Sequence, residues 1–113
     1  MSITGEDLLD AVTALSGSGP AFVYLFAECL VEGGVRGGLP QNLAAQLAHA
    51  TIGGAAAMLS ESGLSTRELR EMVVSPGGTT AAGLGALETH HFREAVIAAV
   101  ETATRRAREL AAA

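Results

Sequence analysis

Lysine is absent from these 113 residues, and so is tryptophan. The first absence leaves seven arginines as the only fixed cations against twelve acidic side chains, a formal net charge of −5. A chain with that balance has no basic stripe to track a phosphate backbone, which excludes nucleic acid as an expected partner. It also excludes a phosphate loop ending in Gly-Lys-Ser/Thr. Three arginines, Arg105, Arg106 and Arg108, crowd the end of the last helical stretch. There they complement the helix dipole or form a small phosphate patch. Cysteine is nearly absent too. Cys29 stands alone, so no intrachain disulfide forms, which fits a reducing compartment. With no basic residue near it in sequence, it is expected to be inert core. No basic region precedes an apolar stretch at the N-terminus, so no signal peptide is expected. The apolar run 43–59 is interrupted by Gln46, His49 and Gly53-Gly54, too broken to read as a membrane span. The expected location is cytoplasmic, with no membrane partner.

Aromatic residues make up 4% of the chain, against 49% hydrophobic residues overall and 14 glycines. The core must therefore be built from Ala, Leu and Val. A monomer of this size buries roughly two-thirds of its unfolded surface. Small side chains let helices approach closely, and part of the apolar surface is expected to lie against a second copy of the chain.

No stretch alternates polar and apolar residues. The pattern is helical throughout, giving five to six helices, no sheet, and a single all-α domain over 1–113. Thr4 before Gly5-Glu6-Asp7 is an N-cap signal for a helix to about Leu15. Ser16-Gly17-Ser18-Gly19 breaks it, and Pro20 suits a first helical position because its missing N–H would have no partner there. The second helix runs to about Glu32, where Gly33-Gly34 and Gly37-Gly38 end it. A third follows Pro40 to about Ser62. Gly53-Gly54 in its middle cost about 1 kcal/mol each relative to Ala, an expense to be offset by close contact with another helix. Ser65-Thr66-Arg67-Glu68 reads as a capping box. That short helix ends near Val74, since the residue before Pro76 is pushed out of the α region. A last helix, about His90 to Ala111, carries Phe92, Val96, Val100, Ala103, Ala107 and Leu110 on one side.

Candidate chemistry centres on Ser75-Pro76-Gly77-Gly78-Thr79-Thr80. Pro76 fixes its φ and donates nothing. Gly77 and Gly78 reach conformations closed to other residues and let a ligand come close. Thr79 and Thr80 open the next helix, whose first N–H groups have no intrahelical partner. Such a loop is either a plain capped turn or a cradle for a carboxylate or phosphate. Gly17-Ser18-Gly19 begins like a dinucleotide loop, but Phe22 stands where the third Gly belongs and no strand precedes it. His90 and His91 are adjacent and diverge on a helix, and His49 stands alone, so no metal site is expected. Glu28 and Glu32, one turn apart, form either a carboxylate pair or a solvated face.

The segments from Asp10 to Phe22 (DAVTALSGSGPAF) and from Val74 to Thr80 (VSPGGTT), followed by Gly83-Leu84 and Leu87-Glu88, resemble the C-terminal dimerisation domain of pyrroline-5-carboxylate reductases. Gly33-Gly34-Val35, Gly38-Leu39-Pro40 and the stretch from Phe92-Arg93 to Arg108-Glu109-Leu110 agree with it. The resemblance runs from about Glu6 to Leu110. It implies a helical domain that interlocks with its copy as a homodimer, with higher assemblies such as a decamer. It implies reduction of 1-pyrroline-5-carboxylate to L-proline with NADPH or NADH. By the same resemblance, Ser75, Gly77, Gly78, Thr79 and Thr80 hold the substrate carboxylate, with Thr80 beside the ring nitrogen as the catalytic hydroxyl. Ser16 to Pro20 is either a helix break or a wall of the nicotinamide pocket. The family's nucleotide-binding domain has no counterpart in these residues. The chain is therefore expected to be cut from, or encoded apart from, a full reductase, to bind no cofactor alone and to be inactive alone. The rival expectation is a free-standing helical dimerisation module without catalysis.

Overall fold

The computed structural model describes residues 5–113, with backbone only at Glu6 and Asp7. The N-cap expected at Thr4 lies outside the described residues. Among them are six α-helices and no strand: α1 (Gly5–Val12), α2 (Gly19–Arg36), α3 (Gln41–Glu61), α4 (Thr66–Val73), α5 (Thr79–Thr89) and α6 (Phe92–Ala112). A π-helical turn, Thr13–Gly17, joins α1 to α2. The chain divides into two compact units, residues 24–85 and the flanking segments, up to Val23 and from Ala86 onwards.

In the flanking unit, α1 and the π turn pack on α6. Ala14 is fully buried there. The Asp10 carboxylate lies 3.9 Å from Nε of Arg108. Val100, Ala103, Thr104 and Ala107 of α6 are half-buried, while Phe92, Val96 and Leu110 at the ends of the expected stripe are exposed. The Ser16–Gly19 segment does not break the helical path. The Ser18 N–H donates to the Thr13 carbonyl at 3.0 Å, a bond five residues back. The Ser16 hydroxyl donates to the Val12 carbonyl at 2.8 Å. A hydroxyl that serves a backbone carbonyl lets the ladder take in one extra residue without stranding an acceptor. Leu8–Arg36 is thereby long and apolar enough, by length and composition, to cross a membrane. Between α5 and α6, His91 adopts the left-handed conformation with φ 59°, and Arg93 bridges to Glu88 at 3.2 Å.

In the unit 24–85, the core is Val31, Ala44 and Ala48, with Ala45 packed against it. Gly33-Gly34 do not end α2. The helix continues to Arg36, because Gly34 sits where α3 approaches: a Cβ there would lie 3.3 Å from both the Ala44 Cβ and the Leu39 Cδ1. The stop is Gly38, with φ 109°. Leu39 N–H donates to the Gly34 carbonyl and Gly38 N–H to that of Val35, both at 3.0 Å, the paired bonds of a Schellman motif. Within this chain nothing lies within 4 Å of a Cβ built on Gly53 or Gly54. Among the described residues, the close contact expected to offset these glycines is not made. Cys29 is exposed rather than core. It lies one turn from Leu25, which is also exposed, on a part of α2 that the chain's own residues leave uncovered.

The capping box forms as expected. Glu68 N–H donates to the Ser65 hydroxyl, and Ser65 N–H donates to the Glu68 carboxylate, each at 3.1 Å. These bonds hold the Glu68 carboxyl below its usual range, since they favour the charged form. The box fixes the start of α4, and α4 leads directly into the loop.

Candidate anion-binding site

α4 ends at Val73, and Val74 is extended, with φ −96° and ψ 126°. The next four residues form a tight turn. Gly78 N–H donates to the Ser75 carbonyl at 3.0 Å, and Gly77 has φ 71°. Pro at the second position and a left-handed Gly at the third are the residues a type II turn requires. Gly78 is packed closely: a Cβ there would lie 2.6 Å from the Ser75 Oγ and 3.2 Å from the Ser75 carbonyl oxygen. The glycines thus have separate reasons, backbone conformation at Gly77 and space at Gly78.

The Gly78 carbonyl accepts from Ala82 N–H at 3.2 Å, the first bond of α5. The N–H groups of Thr79, Thr80 and Ala81 therefore lie in the first turn, where no carbonyl precedes them to accept. α5 has no acidic residue in its first turn to neutralise the positive end of its dipole. Ser75, Gly77 and Thr79 are exposed, while Gly78, Thr80 and Ala81 are half-buried. All five expected site residues thus belong to one turn and the helix end behind it. The Gly78 amide is engaged in the turn. The Ala81 amide is the third of the helix opening.

No residue from 75 to 80 is titratable. The loop can orient an anion and donate hydrogen bonds, but it holds no acid or base in the neutral range. Ser16 to Pro20 belong to the other unit. Glu28 and Glu32 are exposed, as are His49, His90 and His91.

The family model described as pyrroline-5-carboxylate reductase dimerisation matches residues 6–110. The chain belongs to that family. It is 50% identical over 105 residues to a pyrroline-5-carboxylate reductase of Glycine max, a match covering 93% of this chain and 38% of the relative. Its fold is similar to that of the Coxiella burnetii pyrroline-5-carboxylate reductase, with a TM-score of 0.90 and 42% identity over 96% of this chain and 40% of the other. It is also similar to the Plasmodium falciparum pyrroline carboxylate reductase, a structure with NADP bound, at a TM-score of 0.88 and 41% identity over 96% of this chain and 41% of that one. The chain spans about two-fifths of the length of these relatives. In family terms, the described residues are the dimerisation part, and the turn and α5 lie inside the matched region.

Proposed function

We propose that this chain is the dimerisation and substrate-holding part of a pyrroline-5-carboxylate reductase, the enzyme that reduces 1-pyrroline-5-carboxylate to L-proline with NADPH or NADH. Residues 1–113 act as one helical domain. The partner is a second copy, and higher assemblies such as a decamer are built from that dimer. The ligand is a small carboxylate, nucleic acid and membrane are not partners, and the location is the cytoplasm. The observation that carries the reading is the unspent amide end of α5 behind the Ser75–Gly78 turn, in a chain of this family.

The substrate is a cyclic imine bearing a carboxylate. Gly77, Thr79 and Thr80 amides, with the Ser75 and Thr79 hydroxyls, hold the carboxylate at the positive end of α5. The lack of a side chain at Gly78 keeps the turn closed and lets the substrate approach the backbone. Thr80, half-buried, donates or accepts a hydrogen bond at the ring nitrogen and orients it. A threonine hydroxyl is a weak acid, so the proton that makes the iminium comes from water that Thr80 positions. A nicotinamide supplies the hydride. No residue pattern in this chain fits a nucleotide, so the cofactor is held by a part of the enzyme outside these 113 residues, and the chain alone turns nothing over.

The test is Thr80→Ala in a full-length reductase containing this segment. kcat/KM should fall on the order of 100-fold, with recovery in Thr80→Ser. Unchanged turnover would remove Thr80 from the mechanism. Measurable NADPH oxidation by the isolated chain would overturn the division of roles.

A further inference from the structure

We infer that Arg70 guides the anionic substrate to the Ser75–Thr80 loop, supplying from the end of α4 the full positive charge that the loop itself lacks. The inference rests on the reading of that loop as the carboxylate site, and it adds a residue outside the loop.

The loop donates through neutral groups alone. No residue from 75 to 80 is titratable, and the N-terminus of α5 is equivalent to about half a unit charge. That suits an anion already in place. At a distance it is weak, because the effect of a helix end falls off within about one turn. The chain as a whole works against capture, since its formal net charge of −5 repels a substrate anion.

Charges beside the loop are few. From 62 to 87 the chain carries four, at Arg67, Glu68, Arg70 and Glu71. Three are committed. Arg67 Nε lies 3.1 Å from Glu71 Oε1, one turn along the helix. The Glu68 carboxylate accepts from Ser65 N–H at 3.1 Å, at the end of α4 away from the loop. Arg70 is the fourth. It is exposed and stands in the last turn of α4. Among the described residues its guanidinium has no ion-pair or hydrogen-bond partner.

Arg70 shares a helix face with position 74, four residues on, where the chain leaves α4 for the turn. Its Cα lies at most about 12 Å from that of Ser75, three helical residues and two extended ones away. A unit charge about 10 Å away in water raises the local concentration of a monoanion about twofold. An arginine in a last turn also complements the negative end of its own helix. That role acts on stability alone, so substrate kinetics separate the two.

The test is steady-state kinetics of Arg70→Gln, Arg70→Glu and Arg70→Lys in a full-length reductase containing this segment. The pH is set so that the substrate's ring nitrogen is neutral in solution and the substrate is a net anion. In about 10 mM salt, kcat/KM for 1-pyrroline-5-carboxylate should fall about twofold in Arg70→Gln and about fourfold in Arg70→Glu. kcat should hold, and Arg70→Lys should match the wild type. At about 1 M salt, where the Debye length is about 3 Å, all four proteins should agree. Equal kcat/KM in all four at low salt would overturn the inference. So would a loss that falls on kcat or persists at 1 M salt, because screening removes only action at a distance. Thr80→Ala tests the reductase reading separately, since its loss is expected at either salt with Arg70 in place.

Discussion

Gly78→Ala isolates the geometry of the turn. The new Cβ would stand 2.6 Å from the Ser75 Oγ, a distance real Cβ atoms do not tolerate, and 3.2 Å from the Ser75 carbonyl oxygen. The hydroxyl can rotate away. The carbonyl cannot, because it accepts the Gly78 N–H that closes the turn. Overpacking of this kind costs about 1–3 kcal/mol. Taking ~2 kcal/mol, the melting midpoint should fall by about 8 °C in a domain of this size. Ser75→Ala removes the Oγ and leaves only the carbonyl contact, so the same Gly78→Ala change should cost less than half as much in that background. The double-mutant cycle reads this coupling directly. In a full-length reductase, Gly78→Ala should raise KM for the carboxylate substrate more than it lowers kcat, because it displaces the binding end of the loop. An undisturbed midpoint, or equal cost with and without the Ser75 hydroxyl, would refute the account of Gly78 as a residue selected for space.

Four further outcomes are expected. Ser65→Ala should cost about 1 kcal/mol through loss of the N-cap, measured by chemical denaturation. The Glu68 carboxyl has a folded pKa below its unfolded 4.5, so its stabilising effect is complete above pH 4.5 and is lost as pH falls through the lower folded value; the stability gap between wild type and Glu68→Gln should close in that window, and a gap constant to pH 2 would contradict the capping box. His91→Gly should raise stability by about 1 kcal/mol, since φ 59° burdens a residue with a Cβ, and a loss would show that the His91 side chain holds the α5–α6 junction. Gly54→Ala should stabilise by about 1 kcal/mol if helix propensity alone decided; packing against a second copy predicts the opposite sign, a weakened dimer in sedimentation.

Local signals in the sequence were sufficient where the physics is local. The Ser65–Glu68 box, the Pro76-Gly77 turn and the start of α5 at Thr79 each depend on residues no more than four apart, and each is found where the pattern puts it. The glycine-rich segments misled. Gly33-Gly34 read as a stop, yet they remain helical because α3 comes close at Ala44, a tertiary fact no local pattern contains. The Ser16–Gly19 run read as a break, yet the Ser16 hydroxyl supports a π turn there. Cys29 was expected inside and lies outside, and the ends of the α6 stripe are exposed. An apolar position in the sequence does not say which molecule covers it, and here the chain's own residues cover few of them. The Ser75–Thr80 loop was legible as a turn that leads into a helix. Its hydrogen-bond assignment was not, because whether Gly78 donates to the turn or to a ligand depends on the conformation of Gly77.

The π turn at Thr13–Gly17 amounts to an α-helix carrying one spare residue. Deleting one residue there returns the path to α geometry, with the packing of α1 below and the register of α2 above both retained. Adding or removing a residue inside α2 beyond Pro20 would instead turn every later side chain by about 100° around the helix axis. Chain length is therefore negotiable at that turn and fixed from Pro20 to Arg36, so a one-residue deletion scan along Leu8–Arg36 should yield folded protein at the π turn and failures on the α2 side.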